Sequence, residues 1–209
     1  MLTRVAVLVS GGGTNLQALM DAQAAGRIPN GEIALVVSNR KAAYALERAK
    51  KAGIETAVLS KYMKPDPEEY DAALLRLLTE HRVDMIALAG FLGIIGPKVL
   101  AAYENRIVNI HPALIPSFCG LGYYGLRVHE AALARGVKVT GATAHFVNEI
   151  CDGGPIIMQK AVEVQNGDTP EILQKRVMEQ AEWKILPRSV ALFCEDKIKV
   201  SGNKTEILE

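Results

Sequence analysis

The side chains best suited to chemistry sit in three short segments. In Asn109-Ile110-His111-Pro112-Ala113-Leu114-Ile115-Pro116-Ser117 an amide and an imidazole stand two positions apart. On a strand that spacing puts both on one side. Both can donate hydrogen bonds to a single developing negative charge, and two prolines stiffen the chain beyond them. Further on, Cys151-Asp152-Gly153-Gly154-Pro155 offers a carboxylate in a turn. A carboxylate close to an imidazole orients the ring and raises its pKa. Near the start, Ser10-Gly11-Gly12-Gly13-Thr14-Asn15 follows an apolar run and opens a helical pattern. Glycines permit a tight turn there, and the free N–H groups of a helix start suit a phosphate. Thr14 and Asn15 add side-chain donors. Plainer readings stay open for each: a strand–helix turn, a capping Asn with a satisfied His, and an ordinary Asp-Gly turn.

Other chemistries find less support. The glycine turn is no dinucleotide fingerprint, because the third glycine would fall at Leu16 and the second strand ends Ser38-Asn39-Arg40 without an acidic ribose clamp. No Gly-Lys-Ser/Thr follows it, so it is not a Walker loop. His81, His111, His129 and His145 lack zinc-site spacing, and no metal is expected. Neither a Gly-x-Ser-x-Gly elbow nor a local Cys–His signature is present.

Chemistry of this kind needs elements to hold it. The first half alternates apolar runs with helical patterns. Strands are expected at Arg4–Ser10, Glu32–Ser38, Glu55–Leu59, Asp84–Ala89 and Arg106–Ile110. Helices are expected at Asn15–Ala25, Ala42–Ala52 and Asp66–His81, the last with Pro67 at the first helical position. Strands that are apolar throughout, alternating with helices, predict a parallel sheet covered on both faces. The pattern then changes. His111–Tyr124 reads as a loop and Leu126–Arg135 as a helix. Val137–Asn148 and Pro155–Val164 read as strands joined without a helix, hence antiparallel. Thr169–Leu186 reads as a final helix, Lys197–Val200 as a possible edge strand, and Ser201–Glu209 as a loose polar tail. The expected fold is α/β: a single doubly wound, mostly parallel sheet with helices on both faces and an antiparallel addition near the C-terminus. It forms one domain over residues 1–200.

Composition narrows the function classes. The chain has 209 residues, 49% of them hydrophobic, and a net charge of +1. That balance gives no electrostatic footprint for nucleic acid or an anionic membrane. Aromatics at 5% argue against a single-strand stacking platform. No apolar stretch reaches the about 18 residues of a membrane span. Three cysteines without framework spacing read as reduced thiols in a cytoplasmic protein.

The segments VLVSGGGTNLQAL, LAGFL, Asn109–Ser117, GATAHFVNE, DGGPIIMQ and AEWKILP run in order from Val5 to about Phe193. In that order they resemble the folate-dependent formyltransferases, in the branch that acts on glycinamide ribonucleotide. Relatives with an extra regulatory or C-terminal domain do not fit the length. The resemblance implies a formyltransferase fold, with nucleotide phosphate held in the N-terminal half and folate bound in the C-terminal half. It implies 10-formyltetrahydrofolate as co-substrate and glycinamide ribonucleotide as acceptor, in a monomer or homodimer. It implies a catalytic trio of Asn109, His111 and Asp152. It places phosphate at Gly13, Thr14 and Asn15, and the ribose hydroxyls at Glu182. Leu88, Phe91, Leu92, Ile94 and Ile95 would line the folate pocket. The backbone of Val147, Asn148, Glu149 and the turn to Asp152 would read its ring. Thr143 and His145 would support the site from behind, and Ile115–Pro116 would be cis.

The chain also departs from the family pattern. Gly93 stands where many relatives have a basic residue, Trp183 where His commonly follows the ribose glutamate. Phe118–Arg127 is longer than in many relatives, and Arg176 to Glu182 is one residue longer. Another amine acceptor, a hydrolase, or a non-catalytic nucleotide or folate binder remain alternatives.

Overall fold

The computed structural model describes residues 2–208. Its first half repeats a strand–helix unit: β1 (Thr3–Val9), α1 (Thr14–Ala24), β2 (Gly31–Ser38), α2 (Tyr44–Lys51), β3 (Glu55–Val58), α3 (Pro67–Glu80), β4 (Met85–Leu88), α4 (Pro97–Ala102) and β5 (Ile107–His111). There follow α5 (Leu126–Arg135), β6 (Val139–Phe146), β7 (Ile156–Glu163) and α6 (Pro170–Val177). A π-helical turn (Met178–Glu182), α7 (Trp183–Cys194), β8 (Ile198–Ser201) and β9 (Lys204–Ile207) complete the chain.

Among these residues, seven strands form one sheet in the order β3-β2-β1-β4-β5-β6-β7. The first five are mutually parallel; β6 runs antiparallel to both β5 and β7. Alternate residues of β1 serve opposite faces. Val5, Val7 and Val9 join Leu16, Leu19 and Leu186 on one side, while Ala6 and Leu8 join Leu74, Leu78 and Val99 on the other. Both faces are therefore dry, as the apolar strands predicted.

Local signals explain the helix starts. The side chain of Asp66 accepts from the N–H groups of Glu68 and Glu69 ahead of Pro67, and Thr169 accepts from Ile172 N–H ahead of Pro170.

The structure departs from the sequence reading at four places. Helix α4 was not foreseen: six residues are too few for apolar periodicity to register. It is capped from outside, by the buried Asp71 carboxylate of α3 accepting from Lys98 and Val99 N–H. The expected single helix Thr169–Leu186 is interrupted by the π-helical turn. It then runs past Pro187 to Cys194, because burial of Ile185, Leu186, Val190 and Ala191 outweighs the one intrahelical bond that proline removes. Last, the expected loose tail folds back. Lys204–Ile207 pairs antiparallel with β8, and Thr205 Oγ1 donates to the Ile156 carbonyl at 2.6 Å.

Candidate functional site

Between β1 and β4 the strand order changes direction, and the segments leaving the carboxyl ends of β1, β4 and β5 converge there. Ligands of open α/β sheets bind at such a switch point. All three segments singled out in the sequence arrive at this end of the sheet. The Ser10 hydroxyl, at the end of β1, accepts from Leu92 N–H at 2.8 Å and ties the glycine turn to the segment after β4.

Asn109 and His111 lie on β5, and the antiparallel pairing with β6 sets His145 opposite Asn109 and Thr143 opposite His111. Asp152 comes in on the β6–β7 turn, with a left-handed backbone (φ 54) that Asp tolerates better than most residues. Its Oδ2 lies 3.5 Å from Nδ1 of His111 and its Oδ1 lies 3.6 Å from Nε2 of His145. The Gly120 N–H donates to Oδ2 at 2.8 Å. The Nε2–H of His111 donates to the Phe118 carbonyl at 2.8 Å. The Nδ2 of Asn109 is 3.1 Å from Nε2 of His145. Thr143 Oγ1 donates to the Ala113 carbonyl and accepts from Ile115 N–H, clamping the loop after β5. The Ile115–Pro116 peptide in that loop is cis.

The electrostatics correct one expectation. Burial holds the His111 pKa below its ordinary value, and the opposing influence of Asp152 and the Phe118 carbonyl does not overcome it. The raising influence of the carboxylate is present, but burial outweighs it and the net shift is downward. For Asp152, burial pushes its pKa upward. Contacts with His145, His111 and the Gly120 N–H together outweigh that and hold it below the usual carboxylate range.

The glycine turn ends in Gly13, which caps α1 with φ 74. A Cβ there would lie 2.6 Å from Cβ of Ala45, so both conformation and space demand glycine. No side chain caps α1, so the N–H groups of Thr14, Asn15 and Leu16 lack intrahelical partners. One of the expected side-chain donors is committed elsewhere. Asn15 Nδ2 donates to Oε2 of Glu182 at 2.7 Å, and Thr14 Oγ1 faces Sδ of Met178 at 3.8 Å. The turn thus offers chiefly backbone donors, with the exposed Thr14 hydroxyl beside them. Glu182 is buried, and burial raises its pKa to about 7 against the lowering effect of Asn15. The π-helical turn ends on Glu182. A π turn widens the helix by one residue per turn, and Glu182 at its end reaches Asn15.

The residues expected around folate separate into two sets. Leu88 and Ile95 are buried, and Phe91 and Val147 pack against the same apolar cluster. Ile95, Val147, Asn148 and Glu149 line an open cleft of about 1050 Å³. Leu92 and Ile94 are exposed, Ile94 at 83%. A neighbouring cleft of about 660 Å³ holds Asp152, Cys119 and Pro116. Gly93 lies against Phe91 and Asn39, where an added Cβ would be 2.5 Å from the Phe91 ring.

Three contributors were not legible in the sequence. Two are backbone groups, the Phe118 carbonyl and Gly120 N–H, which open the long Phe118–Arg127 segment. The third is His129, buried on the inner side of α5 with neither ring nitrogen partnered by protein. Burial and the nearby His111 lower its pKa to about 4. The only signal for it was its place beside Val128 and Ala132 on the helix's apolar face. Among the described residues no cluster of His, Cys, Asp and Glu is arranged to hold a metal, and no helix is long and apolar enough to cross a membrane.

Comparison with known proteins adds to this geometry. A family described as formyl transferase matches residues 3–190. Phosphoribosylglycinamide formyltransferase from Escherichia coli (strain K12) is 38% identical over 199 residues, covering 95% of this chain and 91% of the relative. The trifunctional purine biosynthetic protein adenosine-3 of Homo sapiens is 42% identical over 202 residues, and the chain spans only 19% of its length. The crystal structure of glycinamide ribonucleotide transformylase 1 from Symbiobacterium toebii superimposes with a TM-score of 0.94 at 43% identity, covering 100% of this chain and 95% of that one.

Proposed function

This chain belongs to the formyl transferase family, and from that premise we propose that it transfers a formyl group from 10-formyltetrahydrofolate to the amine of glycinamide ribonucleotide, a step of purine synthesis. One observation carries the reading. The Asn109, His111, His145 and Asp152 network lies at the end of β5, among the phosphate-type turn, the buried Glu182 and the apolar cleft.

Each part has a role in this proposal. The N–H groups of Thr14, Asn15 and Leu16 hold the phosphate, and Glu182 takes the ribose hydroxyls beside them. Ile95, Val147 and the loop from Asn148 to Asp152 hold the folate ring. Positioning both substrates converts a bimolecular encounter into an effectively unimolecular step. The neutral amine attacks the formyl carbon, and its carbonyl oxygen becomes an oxyanion. Asn109 supplies the Nδ2 hydrogen that His145 does not use. His111 already spends Nε2–H on Phe118, so it reaches the oxyanion only through Nδ1. Nδ1 takes up a proton from solvent as negative charge builds and gives it back when the oxyanion collapses, and Asp152 stabilises the imidazolium in between. Asp152 also routes the amine proton towards the departing folate nitrogen through water. The new C–N bond forms in the attack, the folate C–N bond breaks when the oxyanion collapses back to a carbonyl, and no covalent enzyme intermediate is needed.

The test follows tetrahydrofolate release spectrophotometrically with and without glycinamide ribonucleotide. The reading expects release only with the ribonucleotide, at one formylated product per folate. Release without it, yielding formate, would assign a hydrolase. No release under either condition would leave a different acceptor or a binding protein.

A further inference from the structure

The C-terminal hairpin stands against the site. Strand β8 puts Ile198 and Val200 onto the main core, and Thr205 of β9 is tied to the Ile156 carbonyl at the start of β7. Ser201 and Lys204 pair, so the turn consists of Gly202 and Asn203, with φ 58 at the glycine. Positive φ confined to the first central residue is the pattern of a type II′ turn, the favoured two-residue hairpin connection. The turn is thus short, defined and anchored on both strands.

Its location is what matters. Asn203 lines both clefts that flank the Asp152 loop: the one holding Ile95, Val147 and Asn148, and the one holding Asp152 itself. Val200 and Gly202 line the first. The hairpin therefore lines the same cleft as α4 and the Asn148–Glu149 segment, whereas neither the phosphate turn nor Glu182 lines either cleft. A substrate ring seated against Val147 shares its cleft with this turn.

We infer that the hairpin, through Asn203 and Val200, is a specificity element of the folate-ring cleft with no part in holding the ribonucleotide. The inference rests on the formyltransferase reading above. It makes Asn203 a binding-wall residue whose size sets how deeply a bicyclic ring can enter. The apolar Val200 covers part of the ring's face, and the Asn203 carboxamide is available to its polar edge.

The experiment uses the full-length chain and two variants, Asn203→Trp and Asn203→Ala. Tetrahydrofolate is titrated anaerobically by calorimetry, and glycinamide ribonucleotide is titrated separately. Asn203 is exposed in a turn, so both variants are expected to keep the parent's melting temperature within a few degrees. Filling the cleft with Trp should weaken tetrahydrofolate binding about tenfold or more, equivalent to about 1.4 kcal/mol. Ala should weaken it less, and ribonucleotide binding should stay within about twofold. Steady-state kinetics should show the same split, with KM rising for 10-formyltetrahydrofolate alone. If the parent binds tetrahydrofolate and the Trp variant binds it equally well, the hairpin inference is wrong. Equal weakening of both ligands would also overturn it, since that marks a general structural prop. If the parent itself binds no tetrahydrofolate, the formyltransferase reading fails first.

Discussion

Asn109 and His145 fix each other's orientation. His145 Nδ1 faces the Phe146 carbonyl at 2.7 Å, and a carbonyl can only accept. In the neutral ring Nδ1 therefore carries the hydrogen and Nε2 presents a lone pair. Nδ2 of Asn109, 3.1 Å away, must be the donor to it. One amide hydrogen is spent on His145 and the other remains for a ligand oxygen. Replacing Asn109 with Ala should lower kcat about 10²–10³-fold with little change in KM, the usual cost of losing one oxyanion donor. His145→Ala should lower kcat by releasing the amide, and His145→Gln, which keeps an acceptor, should recover part of it. Equal kinetics for the two His145 variants would argue against this orienting role.

Asp152→Asn keeps the shape of the turn and loses the charge. A carboxamide can neither stabilise an imidazolium at His111 nor carry a proton, so kcat should fall strongly while KM changes modestly. The depressed pKa of Asp152 also predicts a direction for pH dependence. The carboxylate survives below the ordinary carboxylate range, so an acid limb set by Asp152 should lie below that range in kcat/KM. Its contribution to stability is present above its unfolded pKa and is lost as pH falls through the folded one. The pH–rate profile of the parent checks the first point, and near-full activity in Asp152→Asn would remove the proton-routing role.

Gly13→Ala should damage the phosphate turn selectively. The residue needs φ 74, and its new Cβ would press on Ala45 of α2 at 2.6 Å. Strain of this kind costs about 1–3 kcal/mol. The expected outcome is a lowered Tm and a KM for the ribonucleotide raised about tenfold, with the KM for the folate substrate nearly unchanged.

Glu182 should imprint itself on the stability curve. Its folded pKa of about 7 stands above the ordinary 4.5. The folded state therefore binds more protons than the unfolded state between those values. The stabilising contribution is complete below the unfolded pKa and is lost as pH rises through about 7. Glu182→Gln keeps an acceptor for Asn15 and removes the titration. Its Tm should fall less than the parent's between mildly acidic and neutral pH. Parallel Tm curves for the two proteins would show that Glu182 does not titrate in this window.

The π-helical turn offers a separate check. Deleting the exposed Gln180 should let Met178–Glu182 close into α-helix while α6 and α7 keep their seats. The Glu182–Asn15 contact should persist, with activity within a fewfold of the parent and Tm no lower. Loss of ribonucleotide binding would mean that the wide turn itself shapes the site.

The sequence by itself determined the parallel sheet and its switch-point site. Apolar strands such as Val5–Val9 can be satisfied only between two helical layers. Gly13, Asn109, His111 and Asp152 stood out by residue type and spacing, with plainer readings open for each, and only the resemblance assigned them roles. Ordered motifs then made the family legible across most of the chain. Tertiary structure decided what depends on groups far apart in the chain. The first turn of α1 yields its Asn15 side chain to Glu182 across 167 positions. The net pKa of His111 is a contest between burial and a charge 3.5 Å away, and no local spacing contains the degree of burial. Backbone groups of Phe118 and Gly120 hold His111 and Asp152, and every residue type carries such groups. The C-terminal segment read as loose because its polar residues alternate on a two-stranded hairpin. Only the site beneath it shows what that hairpin covers.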